Sequence, residues 1–241
     1  MDTNKLIERL QIEYERQDKS GVYGLTQRLL AYNSNKIEGS TLTYNQTSSI
    51  FETGYLSSDG DMTIRTKDVE EMTGHFVMFN NMLKSYQDNL SEELIKKYHY
   101  DLKSGVFEDI ANGYPIGEYK TRANIVSDIK TILPSEVEGE IKKLLDDYNS
   151  KSNISLEDIV SFHVKYEAIH PFQDGNGRTG RIIMYKECLK NNIFPFIVED
   201  KRKYEYYDYL NKAQKTNDLK PLIAFFKEEQ DNYFNLVKDF I

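Results

Sequence analysis

Apolar residues recur at three- and four-residue spacing along most of the chain, the period of amphipathic helices rather than the alternation of half-buried strands. Leu6, Leu10 and Tyr14 place one stripe on a first helix. LTQRLLAYNSNKIEG, residues 25–39, predicts a second helix that stops at Gly39, a residue suited to a left-handed C-terminal cap. Further helices are expected over 66–86, 91–105, 134–151 and 155–170. Pro134 suits a first helical turn, and Ser155 with Asp158 stands near capping-box spacing. Two stretches, 117–127 and 193–200, read as extended instead. With only 5 prolines and 13 glycines and no internal repeat, the expected class is mainly α.

A chain of 241 residues, 39% hydrophobic and 12% aromatic, can bury a substantial core. Its net charge of -8 argues against a nucleic-acid partner held by a general basic surface, because neutralising phosphates takes clustered Lys and Arg. Any basic site must be local. The single cysteine, Cys188, lies in a helical context and reads as a buried structural thiol. The charged N-terminus resembles neither a signal peptide nor a membrane span, so a cytoplasmic protein with no membrane partner is expected.

Within this background, HPFQDGNGRTGR, residues 170–181, concentrates candidate chemistry. GNGRTG has the glycine spacing of a dinucleotide fingerprint, but such a fingerprint follows a buried strand. Here Ile159, Phe162, His163, Tyr166 and Ile169 recur at helical spacing, so a helix precedes the glycines. A P-loop reading fails as well, at Ile182, where Ser or Thr is needed to hold magnesium. Pro171 should end the first helix at His170, and a second helix should open from about Arg178. Backbone amides of a glycine-rich turn at a helix N-terminus form an anion cradle. Arg178 and Arg181, three apart, could point together at a polyphosphate. Asp174 beside the cradle makes sense as the ligand of a divalent cation bridging phosphate oxygens. His170 has the ordinary pKa of a general base near neutrality, and Phe172 reads as a loop anchor in the core.

The same twelve residues resemble the Fic signature, HxFx(D/E)GNGRxxR, at every specified position. The resemblance implies a Fic-like helical domain with a short β-hairpin flap, and transfer of AMP from ATP to a target hydroxyl with release of pyrophosphate. By resemblance, His170 is the catalytic base and Asp174 binds Mg2+, with Mn2+ as an alternative. Gly175, Asn176 and Gly177 would hold the α- and β-phosphates, and Arg178 and Arg181 the distal ones; Thr179 and Gly180 complete the nucleotide-binding run. Tyr206, Tyr207 and Gln214 fall where the family lines its adenine and ribose pocket, with Gln214 in place of a frequent Asn. Residues 117–127 resemble the flap that pairs with a target backbone, so Arg122, Ala123, Asn124, Ile125 and Val126 are expected to bind the target.

SNKIEG, residues 34–39, also resembles the family's inhibitory motif, (S/T)xxxE(G/N). Ser34 and Glu38 would lie one turn apart on a helix ended by Gly39, presenting the carboxylate to Arg181 in place of the γ-phosphate. The expected layout is an N-terminal helical extension (1–33), an inhibitory helix with further N-terminal helices (34–90), and a Fic core (91–241) containing flap 117–127 and signature loop 170–181. The leading expectation is a self-inhibited protein adenylyltransferase of unknown target, self-modification included, with residues 1–33 available for homo-oligomerisation. Removal of AMP with Glu38 positioning a water, and a non-catalytic nucleotide-dependent interaction module, are the alternatives.

Overall fold

A computed structural model of the chain describes residues 1–56, 63–126 and 129–241. Among these, helices α1 (Thr3–Glu15), α2 (Val22–Ile37), α3 (Tyr44–Thr53), α4 (Thr66–Ser85), α5 (Glu92–Lys103) and α6 (Phe107–Ala111) form the first half. Strands β1 (Ile125–Val126) and β2 (Ile129–Lys130) then precede α7 (Pro134–Asn149), α8 (Leu156–Ile169), α9 (Asn176–Lys190), α10 (Lys203–Thr216) and α11 (Lys220–Val237). The fold is mainly α, as the hydrophobic spacing indicates.

Helix α9 is the axis of the molecule, with α2, α4, α5 and α8 packed around it. It is buried almost throughout, so its polar residues survive only in pairs, as Lys186 with Glu187 at 2.7 Å illustrates. Cys188 sits in this helix as a buried free thiol, and Phe172, Tyr166 and Tyr185 pack nearby in the same core.

Local chemistry sets the boundaries. Ser155 and Asp158 form a complete capping box at the start of α8, and Thr43 and Gln46 form another at α3. Gly21 at the start of α2 has no side chain to offer, and the buried Glu13 carboxylate from α1 accepts from Tyr23 N at 2.8 Å instead. Leu6 and Leu10 are fully buried, and α1 packs against α2 and α4. Within the expected extension over 1–33, the first helix packs into the core, and the 33/34 boundary falls inside α2.

The expected flap is a short antiparallel pairing, Ile125 opposite Lys130 and Val126 opposite Ile129. Ser127, the last residue of the expected segment, lies outside the described residues. Residues 193–199 run without helix or sheet pairing, burying Phe194, Phe196, Ile197 and Val198 before a 3-10 turn at Asp200–Arg202. No helix among the described residues is long and apolar enough to cross a membrane.

Candidate active site

Helix α8 ends at His170, which adopts left-handed geometry (φ 53°, ψ 64°) before Pro171. The loop that follows is tied by Asn176, whose Oδ1 accepts from Phe172 N (2.8 Å) and whose Nδ2 donates to Phe172 O (2.9 Å). Asn176 thus shapes the loop with its side chain. The ring of Phe172 stacks on His99 with centroids 3.9 Å apart, anchoring the loop in the core. Gly175, at φ +87°, opens α9 with no side-chain cap, so the leading amides of that helix have no intrahelical partner and face the loop. Gly177 is as tightly constrained: a Cβ there would collide with Glu38 Oε1 and stand 2.9 Å from Arg181 Nη1.

The tip of α2 lies against this loop. Glu38 Oε1 accepts from Arg181 Nη2 at 2.6 Å, while Ser34 accepts from Arg181 Nε through Oγ and from Nη2 through its carbonyl, both at 3.0 Å. Asn35 Oδ1 accepts from Arg178 Nη1 at 3.2 Å. Gly39 at φ +92° ends the helix, and Arg65 donates to its carbonyl at 2.8 Å. Tyr207 donates its hydroxyl to Ile37 O at 3.2 Å, fixing the same tip from α10.

Two cavities open here, and Glu38 lines both. One, of about 580 Å³, is bounded by His170, Glu167, Gly177 and Arg181 together with Tyr204, Tyr206, Tyr207 and Gln214. The other, of about 520 Å³, is bounded by charged side chains that include Lys67, Glu71, Asp174 and Arg178. Arg181 serves the aromatic cavity, whereas Arg178 is buried and paired with Glu71 at 2.5 Å and Asp174 at 3.3 Å. Thr179 faces the core, its hydroxyl bonded to Tyr166, and Gly180 packs closely on Glu167 and His163 of α8. Tyr206 also lies deep, its hydroxyl 2.7 Å from His163 Nε2.

Asp174 is held well below the usual carboxylate range: burial opposes ionisation, but Arg178, Lys103 and Lys67 outweigh it. Glu71, Asp109 and Asp174 bring ligand oxygens within 4.8 Å of one another. Lys103 Nζ contacts all three, so an amine already neutralises this cluster. Asp174 alone among them is substantially exposed, 35% against 8% and 0%. An ionised, hard oxygen donor open to a cavity fits a divalent cation.

Burial lowers the pKa of His170 to about 4, Lys120 adds to that depression, and Glu38 and Asp174 oppose it. The imidazole is thus neutral at physiological pH and able to accept a proton. Glu167, one turn earlier on α8, goes the other way: burial raises it to about 8 against the pull of Arg181, and its Oε2 lies 4.0 Å from His170 Nδ1. On the flap side, Asn124 Nδ2 donates to Phe172 O at 3.2 Å and Arg122 N to Gln173 Oε1 at 3.3 Å, while Ala123 is exposed. Lys67, Glu71, Lys103, Lys120 and Glu167 join the site without having stood out in the sequence. Of these only Glu167, one helical turn before His170, carried a local signal.

Residues 89–188 match the Fic/DOC family model. A Fic domain containing signalling protein from Bacteroides thetaiotaomicron superposes with a TM-score of 0.78 at 24% identity, over 96% of this chain and 95% of that one. Fic-1 from Caenorhabditis elegans superposes with a TM-score of 0.75 at 22% identity, over 99% and 71%. Among curated proteins, Protein adenylyltransferase Fic of Nematostella vectensis is 29% identical over 199 residues, 80% of this chain and 44% of that protein. Protein adenylyltransferase fic-1 of C. elegans is 26% identical over 209 residues, 84% and 39%. The chain spans less than half the length of these curated relatives.

Proposed function

We propose that the chain is a protein adenylyltransferase held in check by its own Glu38. The observation that carries this reading is the convergence of a neutral His170, the Arg181–Glu38 pair and Gly177 on one aromatic-walled cavity at the N-terminus of α9. Tyr204 and Tyr207 offer faces for a nucleobase, Gln214 an amide for its polar edge, and the leading amides of α9 a cradle for phosphate. A hydroxyl of the target attacks the α-phosphorus of ATP; the new O–P bond forms as the bond to the bridging oxygen breaks, and pyrophosphate leaves with that electron pair. His170 takes the hydroxyl proton. Mg2+ or Mn2+ held by Asp174 would neutralise charge on the phosphate oxygens. The flap around Asn124 sits beside the base, where an extended target segment can pair with its edge.

Self-inhibition follows from Glu38, which occupies Arg181 and stands between the two cavities. An ATP molecule whose γ-phosphate cannot reach Arg181 lies out of line for attack. Labelled ATP with Mg2+ tests the proposal: Glu38→Gly should raise AMP transfer, and His170→Ala in that background should abolish it. A second reading has one observation in its favour, that Glu38 and His170 line the same cavity. A carboxylate so placed can orient water for removal of AMP from a modified client. Release of AMP lost in Glu38→Gly supports that activity, and release that persists excludes it.

A further inference from the structure

Lys120 precedes β1, is only 2% exposed, and forms no ion pair among the described residues. Its ammonium donates instead to three neutral oxygens: Asn124 Oδ1 at 2.8 Å, Thr131 Oγ1 at 2.7 Å and Ile169 O at 3.4 Å. A buried charge with no counter-ion among the described residues is costly, and burial brings this lysine down to about 8. Hairpin packing by itself would be served as well by an apolar side chain of the same length. Lysine at this point needs a further reason.

The geometry supplies one. Asn124 stands before β1 and Thr131 after β2, so the two ends of the hairpin meet on one ammonium. The main-chain N–H of Lys120 donates to Pro171 O at 2.9 Å. The carbonyls on either side of His170, those of Ile169 and Pro171, therefore both accept from the same residue. His170 itself has φ +53°, a conformation that non-glycine residues hold only when their surroundings impose it.

We propose that Lys120 is a positioning residue for the transfer reaction: it clasps both ends of the flap to the peptide carbonyls flanking His170, and its charge faces the base. Target backbone laid along the flap is thereby held in register with the imidazole. This inference rests on the adenylyltransferase reading for its consequence in catalysis, but not for its electrostatics. Among the described residues, the charged and titratable groups that act on His170 are Lys120, Glu38 at the end of α2, Glu167 from α8 and Asp174 from the signature loop. Lys120 remains charged throughout the range in which His170 titrates.

The chain has four histidines, and NMR titration can follow all of them. In Lys120→Met the pKa of His170 should rise by on the order of one unit, while His75, His99 and His163 stay unchanged and report an intact fold. Lys120→Arg should leave His170 where it is. If Lys120→Met does not fold, Lys120→Gln keeps polar contacts without the charge and must give the same rise. An unmoved His170 in the neutral variant overturns the proposal. In a Glu38→Gly background, self-labelling should lose roughly tenfold to a hundredfold in kcat with KM for ATP unchanged, and Lys120→Arg should restore most of it. Full kcat in Lys120→Met despite the His170 shift also overturns the positioning role. No labelling in Glu38→Gly alone overturns the adenylyltransferase reading instead, and leaves the titration as a separate result.

Discussion

Replacing Glu38 by glycine removes a carboxylate 2.6 Å from Arg181 Nη2. Two unit charges with centres about 4 Å apart attract by about 4 kcal/mol at an effective dielectric near 20. Desolvation offsets part of this, since Arg181 is 4% exposed and Glu38 28%. A charge-assisted hydrogen bond of this kind contributes about 1.5–3 kcal/mol net. With about 1.4 kcal/mol per factor of ten, the closed arrangement is favoured by roughly ten- to hundredfold, and AMP transfer should rise by that factor. Arg181 does not swing away in the variant, because both Ser34 contacts persist at 3.0 Å. Glu38→Gln, which keeps a neutral hydrogen bond, should fall between the two. The assay is incorporation of labelled AMP at saturating ATP and Mg2+. Equal rates in parent and Glu38→Gly, both abolished by His170→Ala, would refute the reasoning: the enzyme would be active and indifferent to Glu38.

Lys103→Met leaves Glu71, Asp109 and Asp174 without their shared ammonium, and should cost about 3–5 kcal/mol in denaturant unfolding; a loss below 1 kcal/mol would mean that the cluster is not held by this lysine. Gly177→Ala puts a methyl group where the cradle meets Arg181 and should weaken ATP binding by about tenfold or more in a Glu38→Gly background, read by calorimetry. Acid stability carries a sign set by the histidines. His75, His99 and His163 are lowered to about 3 and His170 to about 4, all chiefly by burial, so the unfolded chain binds more protons below its ordinary histidine pKa. Stability should therefore fall as pH drops from 7 to 5.5, by about 1 kcal/mol per histidine. Glu167, raised by burial, works oppositely and loses stability as pH rises toward 8. Denaturant midpoints that are flat between pH 7 and 5.5 would contradict the burial of these rings.

The parts legible in the sequence are those set by local rules. Pro171 ends α8 at His170, Gly39 ends α2, and the spacing of Ser34 and Glu38 brings both onto one face toward Arg181. Arg178 shows where such rules stop. Beside Arg181 it reads as a second phosphate ligand; that Glu71, more than a hundred residues earlier, pairs with it in a buried ion-pair network is not visible in the sequence. Tyr206 lines the cavity that the tyrosine spacing suggests, but the partner of its hydroxyl, His163 on another helix, is not visible in the sequence. Lys120 was invisible because a lysine in an extended segment ordinarily faces solvent. Only the tertiary approach of the flap to the end of α8 buries it.

The most direct test is peptide-resolved mass spectrometry of the Glu38→Gly chain incubated with ATP, Mg2+ and a cell extract. The expected result is an AMP adduct on a hydroxyl side chain of the chain or of a client, absent when His170 is also replaced by alanine. No adduct in Glu38→Gly, or one that survives loss of His170, would contradict AMP transfer by this site.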